Sequence, residues 1–346
     1  MNLFEWRSLL NALSEPILLV NKTREIVLAN NIAQELFGRT IEGSDFARAI
    51  RHPAALQHVD RMLAGNVVGP EPNTTFQLSG AIATTYKLSV TRVEECTDAD
   101  DTFLIALKDI SHILEAEQMR SDFVANVSHE LRSPLTALTG FIETLKGSAK
   151  NDPDARVRFL DIMEREASRM NRLIDDLLSL STLETNERIR PVNRASVPNI
   201  LNRVIATVSP HAEVNNKTIN FTLPTFEGIV IGDEDELTQL FHNLVENAVK
   251  YGRADSEIDI SICQNDNLII SIKDSGDGIP PEHIPRLTER FYRVDSGRSR
   301  EKGGTGLGLA IVKHIINRHR GKLTIESIVG EGSTFKVELP LARASG

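Results

Sequence analysis

The sequence predicts a multidomain chain: an α+β module, a helical hairpin that pairs into a dimeric four-helix bundle, then an α/β domain. Three observations predict it. The chain has 346 residues, long for one domain. Apolar residues recur at alternating three and four spacing between about 124 and 177. On either side of that stretch, short β-rich runs alternate with helical segments.

The first 110 residues read as the α+β module. "PILLV" (16–20) and "EIVLAN" (25–30) are β-rich runs around the polar "NKTR", a hairpin signal. "NIAQELFG" (31–38) and "RHPAALQHVDRMLAG" (51–65) have helical spacing and glycine stops. "TTFQLS" (74–79), "TTYKLSVTRV" (84–93) and "TFLIALKDI" (102–110) follow as strands.

Residues 111–186 read as the hairpin. Val124, Leu131, Leu135, Leu138, Ile142 and Leu145 form one stripe, and Leu160, Met163, Ala167, Met170, Ile174 and Leu177 form the next. A polar break containing proline (146–155) separates them. One hairpin leaves an apolar stripe uncovered, so a homodimer is the physical expectation. A plain coiled coil would explain the stripe but not His129 beside it. Pro134 follows within two turns; the expectation is a helix that continues with a bend, because proline removes one N–H bond.

Residues 187–346 read as the α/β domain. "RIRPVNRAS" (188–196) reads as an extended linker. Helices are expected at 197–208, 234–251 and 306–319, and strands at 258–262, 268–273, 322–328 and 333–341.

Composition narrows the function. Forty per cent apolar and 25% charged residues are ordinary globular proportions. A net charge of -9 argues against nucleic acid or an anionic membrane surface as the main partner. Cys96 and Cys263 form no metal or redox spacing, and low cysteine use fits a reducing cytoplasm. The apolar runs are far shorter than the ~20 residues a spanning helix needs, and Glu5 and Arg7 break any leader. The expectation is therefore a cytoplasmic chain.

Four features between 234 and 310 carry the chemistry. "NLVENAVKY" (243–251) sets Asn243, Asn247 and Lys250 on one helix face, a partial shell for Mg²⁺ and phosphates. "DSGDGI" (274–279) places Asp274 at a strand end, able to accept an exocyclic amine, with Gly276 and Gly278 permitting close backbone approach. "RFYRVDSGRSREK" (290–302) reads as a mobile lid whose Arg293, Arg298, Arg300 and Lys302 suit a triphosphate. "GGTGLGLAIVKHI" (303–315) is a glycine run opening a helix, an anion site that matches neither the Walker nor the dinucleotide pattern. Taken singly, the first is a solvated helix face and the second an ordinary Asp-Gly turn. Their order is what points elsewhere.

That order resembles the N, G1, F and G2 boxes of sensor histidine kinases. "FVANVSHELRSPLTAL" (123–138) is similar to the family's H box and "DDLLSLSTLE" (175–184) to its second bundle helix. The first 110 residues resemble a PAS sensor module, and the H-box wording is most similar to phosphate-regulon sensor kinases. The resemblance implies three domains: a PAS-like sensor (1–110), a dimerisation and phosphotransfer domain (111–186) and an ATP-binding α/β sandwich of the gyrase and histidine-kinase type (187–346). It implies that His129 accepts the γ-phosphoryl group of ATP and that Glu130 orients its ring and takes the other proton. A neutral imidazole is nucleophilic near neutral pH, and a neighbouring carboxylate biases its tautomer. Asn247, helped by Asn243, would hold Mg²⁺; Lys250 and Arg293 would contact phosphates; Tyr251 would flank adenine and Asp274 would bind its amine. Gly276, Gly278, Gly304, Thr305, Gly306, Leu307 and Gly308 would shape the pocket and lid.

The H box usually has threonine where this chain has Ser133, a position that serves phosphatase activity in related kinases. Serine keeps the hydroxyl but loses the methyl that restricts its rotamer. The implied partners are a response regulator and a second copy of the chain, and the phosphate-regulon likeness leaves room for docking to a membrane transporter complex. A non-enzymatic dimeric scaffold would be marked by loss of His129, Asn247 or the glycine loop, and all are intact. A gyrase-like or chaperone ATPase would not need an H box on a hairpin, and a serine/threonine kinase would carry motifs absent here. His52, His58 and His112 read as packing or surface residues; His242 and His314 have no metal-ligand spacing.

Overall fold

The computed structural model describes residues 3–65, 74–78, 83–93, 101–187, 189–294 and 304–342. The chain divides into two compact units, Met1–Val124 and Ala125–Gly346. Their boundary falls inside one long helix, so the hairpin and the last domain share a unit.

In the first unit, α1 (Leu3–Asn11) precedes the hairpin of β1 (Ile17–Asn21) and β2 (Ile26–Ala29). Helices α2 (Asn31–Phe37), α3 (Phe46–Ala49) and α4 (Pro53–Leu63) follow, then β3 (Thr74–Leu78), β4 (Thr84–Val93) and β5 (Thr102–Asp109). The five strands form one antiparallel sheet in the order β2-β1-β5-β4-β3. One face buries Leu18, Val20, Leu88 and Ile105 together with Phe46 and Val59 from the helices. Asn30, fully buried, ties the start of α2 to the sheet: its Oδ1 accepts from the N–H groups of Ala33 and Ile17, each at 3.0 Å. A buried amide with its bonds made is stable where an unpaired one is costly. Of the three histidines expected to be packing or surface residues, His58 is buried and the His112 side chain is 95% exposed. His52 lies against the Phe76 ring, with centroids 5.8 Å apart.

Helix α5 (Ser111–Lys146) runs from the first unit into the second, and α6 (Pro153–Thr185) returns. Helix α5 continues through Pro134. Asp152 caps α6 by accepting from Ala155 N–H at 2.9 Å, and Pro153 takes the first helical position, where a missing N–H costs nothing. Glu130 meets Arg169, and the Phe141 and Phe159 rings stack with centroids 5.3 Å apart. Residue numbers rising on one helix and falling on the other make the hairpin antiparallel. Along the predicted stripe Leu135, Ile142, Leu160 and Ile174 are exposed, whereas the buried leucines of α6 are Leu173, Leu180 and Leu183.

The stretch read as a linker contains β6 (Arg194–Ser196), which pairs with β8 (Ile229–Ile231). Three residues are too few for a period-2 pattern to show, so β6 leaves no trace in the spacing. Helix α7 (Val197–Val214), longer than the sequence suggests, leads to β7 (Thr218–Phe221). Then come α8 (Glu234–Tyr251), β9 (Glu257–Gln264), β10 (Asn267–Asp274), α9 (Gly308–Arg318), β11 (Lys322–Ile328) and β12 (Gly332–Pro340). The sheet order is β11-β12-β10-β9-β7, antiparallel except for the parallel β7–β9 pair. Helix α8 packs on β10 and both neighbouring helices, and α9 also packs against α6. Among the described residues no helix is long and apolar enough to cross a membrane.

Candidate functional site

Helix α8 is fixed at both ends. Asp233 accepts from the N–H groups of Asp235 and Glu236, at 3.0 and 3.1 Å. Glu234, Asp235 and Glu236 occupy the first turn and Lys250 the last, each sign favouring the helix dipole. Leu237, Leu240, Phe241, Leu244, Val245, Ala248 and Val249 are buried, so the helix cannot rotate. Asn243, Asn247 and Lys250 are left on the other face, where they line a cavity of about 440 Å³. That volume lies in the range of small-molecule sites.

Asp274 ends β10 and enters the cavity wall. It is buried, and its Oδ1 accepts from Gly276 N–H at 2.8 Å. Burial pushes its carboxyl up, against the N–H bonds from Gly276 and Ser333 and the charge of Lys217. Gly278 has φ +71°, and a Cβ there would collide with the Ile328 carbonyl. Gly278 and Tyr251 line the cavity; Gly276 does not, contrary to its expected place in the pocket. Gly276 instead lets the turn close behind Asp274, where a Cβ would stand 2.6 Å from the Tyr251 carbonyl oxygen.

The glycine loop forms the opposite wall. Gly304, Thr305, Gly306 and Gly308 line the cavity. Gly306 has φ +76°, its carbonyl accepts from Phe291 N–H at 2.8 Å, and a Cβ would press on Phe291 at 2.9 Å. Asn243 reaches the Gly308 carbonyl at 3.4 Å where α9 begins. Leu307 was expected in the pocket, but its side chain is fully buried under α9 and does not line the cavity. Thr305 donates its hydroxyl proton to Asp176 of α6 at 2.7 Å. Burial pushes the Asp176 carboxyl up, with the Thr305 bond opposing.

Arg293 joins the two parts of the site. Its guanidinium bonds Glu130 through both terminal nitrogens, at 3.4 and 3.2 Å, and the Thr305 carbonyl at 2.8 Å. Arg169 holds the same Glu130 at 2.8 Å. The Arg293 side chain is 7% exposed, and its buried Nε has no hydrogen-bond partner among the described residues. His129 and Ser133, one helical turn apart on α5, are exposed and do not line the cavity. Glu130 thus connects the α5 turn carrying His129 to an arginine of the cavity wall. Arg298, Arg300 and Lys302, expected in a lid, lie outside the described residues.

These residues fit a magnesium nucleotide. Among the described residues no group of three or more His, Cys, Asp or Glu could hold a metal ion. A cation beside Asn247 would rest on its amide oxygen, on water and on phosphate oxygens, the mode Mg²⁺ favours. Residues 232–343 match the family described as histidine kinase-, DNA gyrase B- and HSP90-like ATPase. Residues 119–186 match the His kinase A (phospho-acceptor) domain. The chain belongs to the sensor histidine kinases. The chain is 42% identical over 236 residues to the phosphate regulon sensor protein PhoR of Pseudomonas aeruginosa, covering 67% of this chain and 52% of that protein. It is 32% identical over 343 residues to the sensor protein kinase WalK of Staphylococcus aureus strain Newman, covering 96% of this chain and 54% of that one. The chain thus spans about half the length of these two relatives. Its fold is like that of histidine kinase ThkA, solved in complex with response regulator protein TrrA: TM-score 0.53, 21% identity, 97% of this chain and 98% of that one.

Arg169, Asp176 and Lys217 belong to none of the site residues expected from the sequence. Asp176 lies inside the quoted "DDLLSLSTLE", where a doubled acid directly before a run free of charges is the available signal. Nothing in the local sequence marks Arg169 or Lys217.

Proposed function

We propose that the chain is an ATP-dependent protein-histidine kinase that phosphorylates itself on His129 and passes the phosphoryl group to an aspartate of a response regulator. The observation that carries this reading is the Arg293–Glu130 contact, which links the H-box helix to the cavity of the same chain. Bound ATP supplies the γ-phosphoryl group, and Mg²⁺ neutralises charge on the triphosphate. Asn247, with Asn243, would hold the Mg²⁺; Lys250 and Arg293 would hold phosphates. Asp274 would accept the adenine amine, with Tyr251 beside the ring and the glycine loop around the phosphates. His129 would attack phosphorus through one ring nitrogen. An N–P bond forms as the bond to the ADP oxygen breaks, and the proton on the other ring nitrogen passes to Glu130. Catalysis of this kind rests on positioning and charge neutralisation.

Three domains are proposed: 1–110 as a PAS-like sensor, 111–186 for dimerisation and phosphotransfer, and 187–346 for ATP binding. The antiparallel order β2-β1-β5-β4-β3, with helices inserted between β2 and β3, supports the sensor reading. Ser133, four residues after His129, is proposed to support phosphatase activity through its hydroxyl. The likeness to PhoR supports phosphate-starvation sensing as the physiological input, in the cytoplasm, with docking to a membrane transporter complex as the route by which the signal arrives. Incubation with Mg²⁺ and γ-labelled ATP tests the central claim. An acid-labile label that disappears in His129→Ala is expected; an acid-stable label, or one that survives the substitution, refutes it.

A further inference from the structure

We propose that Lys217 is a positioning residue for adenine recognition: its buried ammonium fixes the end of α8 and, through Gly252 and Gly276, the turn that carries Asp274. The proposal rests on the reading of the cavity as an ATP site. Lys217 stands between α7 and β7, where its N–H donates to the Ala212 carbonyl at 2.9 Å and Asn216 before it has φ +53°. The residue is 8% exposed. Its Nζ donates to the carbonyls of Val249 and Gly252, the latter at 2.7 Å. Those carbonyls close the last turn of α8, the negative end of the helix dipole, where a buried cation is best accommodated.

From there a short chain of contacts leads to the cavity. Gly252 bridges Gly276 in antiparallel fashion, and Gly276 donates to Asp274. The packing is tight on both sides: a Cβ on Gly252 would stand 2.8 Å from the Ala248 oxygen and 3.7 Å from Lys217 Nζ, and one on Gly276 would stand 2.7 Å from Asp274 Oδ1. Lys217 therefore sets the height of the turn on which Asp274 sits, and also the helix end that carries Lys250 and Tyr251. Burial raises the Asp274 carboxyl, and the Lys217 charge opposes it. The other charges near the turn are Arg253 and Asp277, paired at 3.8 Å and exposed, and Lys250, which lies 5.6 Å from the Tyr251 ring centroid. Solvent screens the exposed Arg253 and Asp277, and Lys250 is half-buried in the cavity wall; after burial and the two N–H bonds, Lys217 is the charge that acts on the Asp274 carboxyl. An ionised carboxylate accepts the adenine amine more strongly than a neutral acid does.

Calorimetric titration of the full chain with Mg²⁺-ATP, from about pH 5 to 8, tests this. Lys217→Met is expected to weaken ATP about tenfold near neutral pH. Its loss of affinity on acidification should begin at higher pH than in the unsubstituted chain, and Lys217→Arg should restore both. Lys217→Gln can still donate to the two carbonyls without charge; it should bind ATP with the shifted acid limb, and it decides the matter if the methionine variant does not fold. A folded neutral variant with unchanged affinity and acid limb overturns the proposal, as does weaker binding with an unmoved acid limb. If the unsubstituted chain binds no ATP, the nucleotide reading has failed. Carboxyl-carbon NMR titration then tests Lys217 separately: the Asp274 midpoint must rise in Lys217→Gln, and an unmoved midpoint overturns the proposal.

Discussion

His319 shows how one buried side chain can tie pH to stability. Capping the end of α9, its ring accepts from Asp233 N–H at Nε2, 3.0 Å away, and faces the Ile315 carbonyl with Nδ1 at 2.8 Å. Those partners demand the neutral ring with its proton on Nδ1. Protonating Nε2 would set a donor against a donor at the start of α8. Burial holds the ring's pKa below its ordinary value, and the neighbouring Arg318 adds to this. The unfolded chain therefore takes up the proton first as pH falls below about 6.5, so stability should fall through that window until the folded pKa is passed. Asp176 and Asp274 act with the opposite sign, since their raised carboxyls gain protons in the folded chain first. The difference between the unsubstituted chain and His319→Gln isolates the histidine. That variant should lose about 1–3 kcal/mol near neutral pH and show a flatter fall in unfolding midpoint between about pH 7 and 5. Parallel pH profiles for the two proteins would contradict the assignment. At this scale the sequence revealed residues whose position is set locally. Asn243, Asn247 and Lys250 follow from helix spacing, and Asp274 from a strand end. Lys217, Arg169 and Asp176 were hidden because their partners are 32, 39 and 129 residues away.

Among the elements, α5 departs from local propensity, since it carries Pro134 in its interior and remains helical, as α7 does through Pro210. Pro134 has no N–H to give the carbonyl of residue 130, one turn earlier in the helix, within the residue pair proposed to do the chemistry. Pro134→Ala should restore that bond and raise the unfolding free energy by roughly 1–3 kcal/mol. If the missing bond gives the backbone at His129 the freedom that phosphotransfer needs, autophosphorylation should slow severalfold in the same variant. Greater stability with undiminished labelling would show that the proline is merely tolerated. The longer elements were legible because their periods repeat: β4 and α8 fall where their patterns place them. Strands β6 and β8, three residues each, offer too little length for a period and are specified by their mutual pairing. The apolar pattern of α6 was read as one stripe, yet its buried leucines lie off that stripe, because α9 covers a second side of the helix.

At the scale of the whole molecule, the chain divides into two compact units, and the second holds both α6 and the ATP-binding α/β sheet. Contacts such as Thr305 to Asp176 and Gln239 to Ser179 draw the hairpin and the last domain together, and no local pattern encodes them. The stripe left over on the hairpin specifies the next level of assembly. Leu135, Leu160 and Leu178 are each more than half exposed, on two helices that face each other. Burying a leucine is worth about 1.5–3 kcal/mol, and a two-fold interface counts every such residue twice. The chain is therefore expected to elute as a dimer, with twice the chain mass by light scattering. Leu135→Asp combined with Leu178→Asp should yield a monomer, because four carboxylates would have to be desolvated in the seam. Neither Leu135 nor Leu178 lines the cavity, although Arg172, Asp175 and Asp176 of α6 do, so this monomer should still bind Mg²⁺-ATP with an affinity close to that of the dimer. A double variant that remains dimeric would place the assembly surface elsewhere, and a monomeric unsubstituted chain would show that the hairpin stripe has no partner copy.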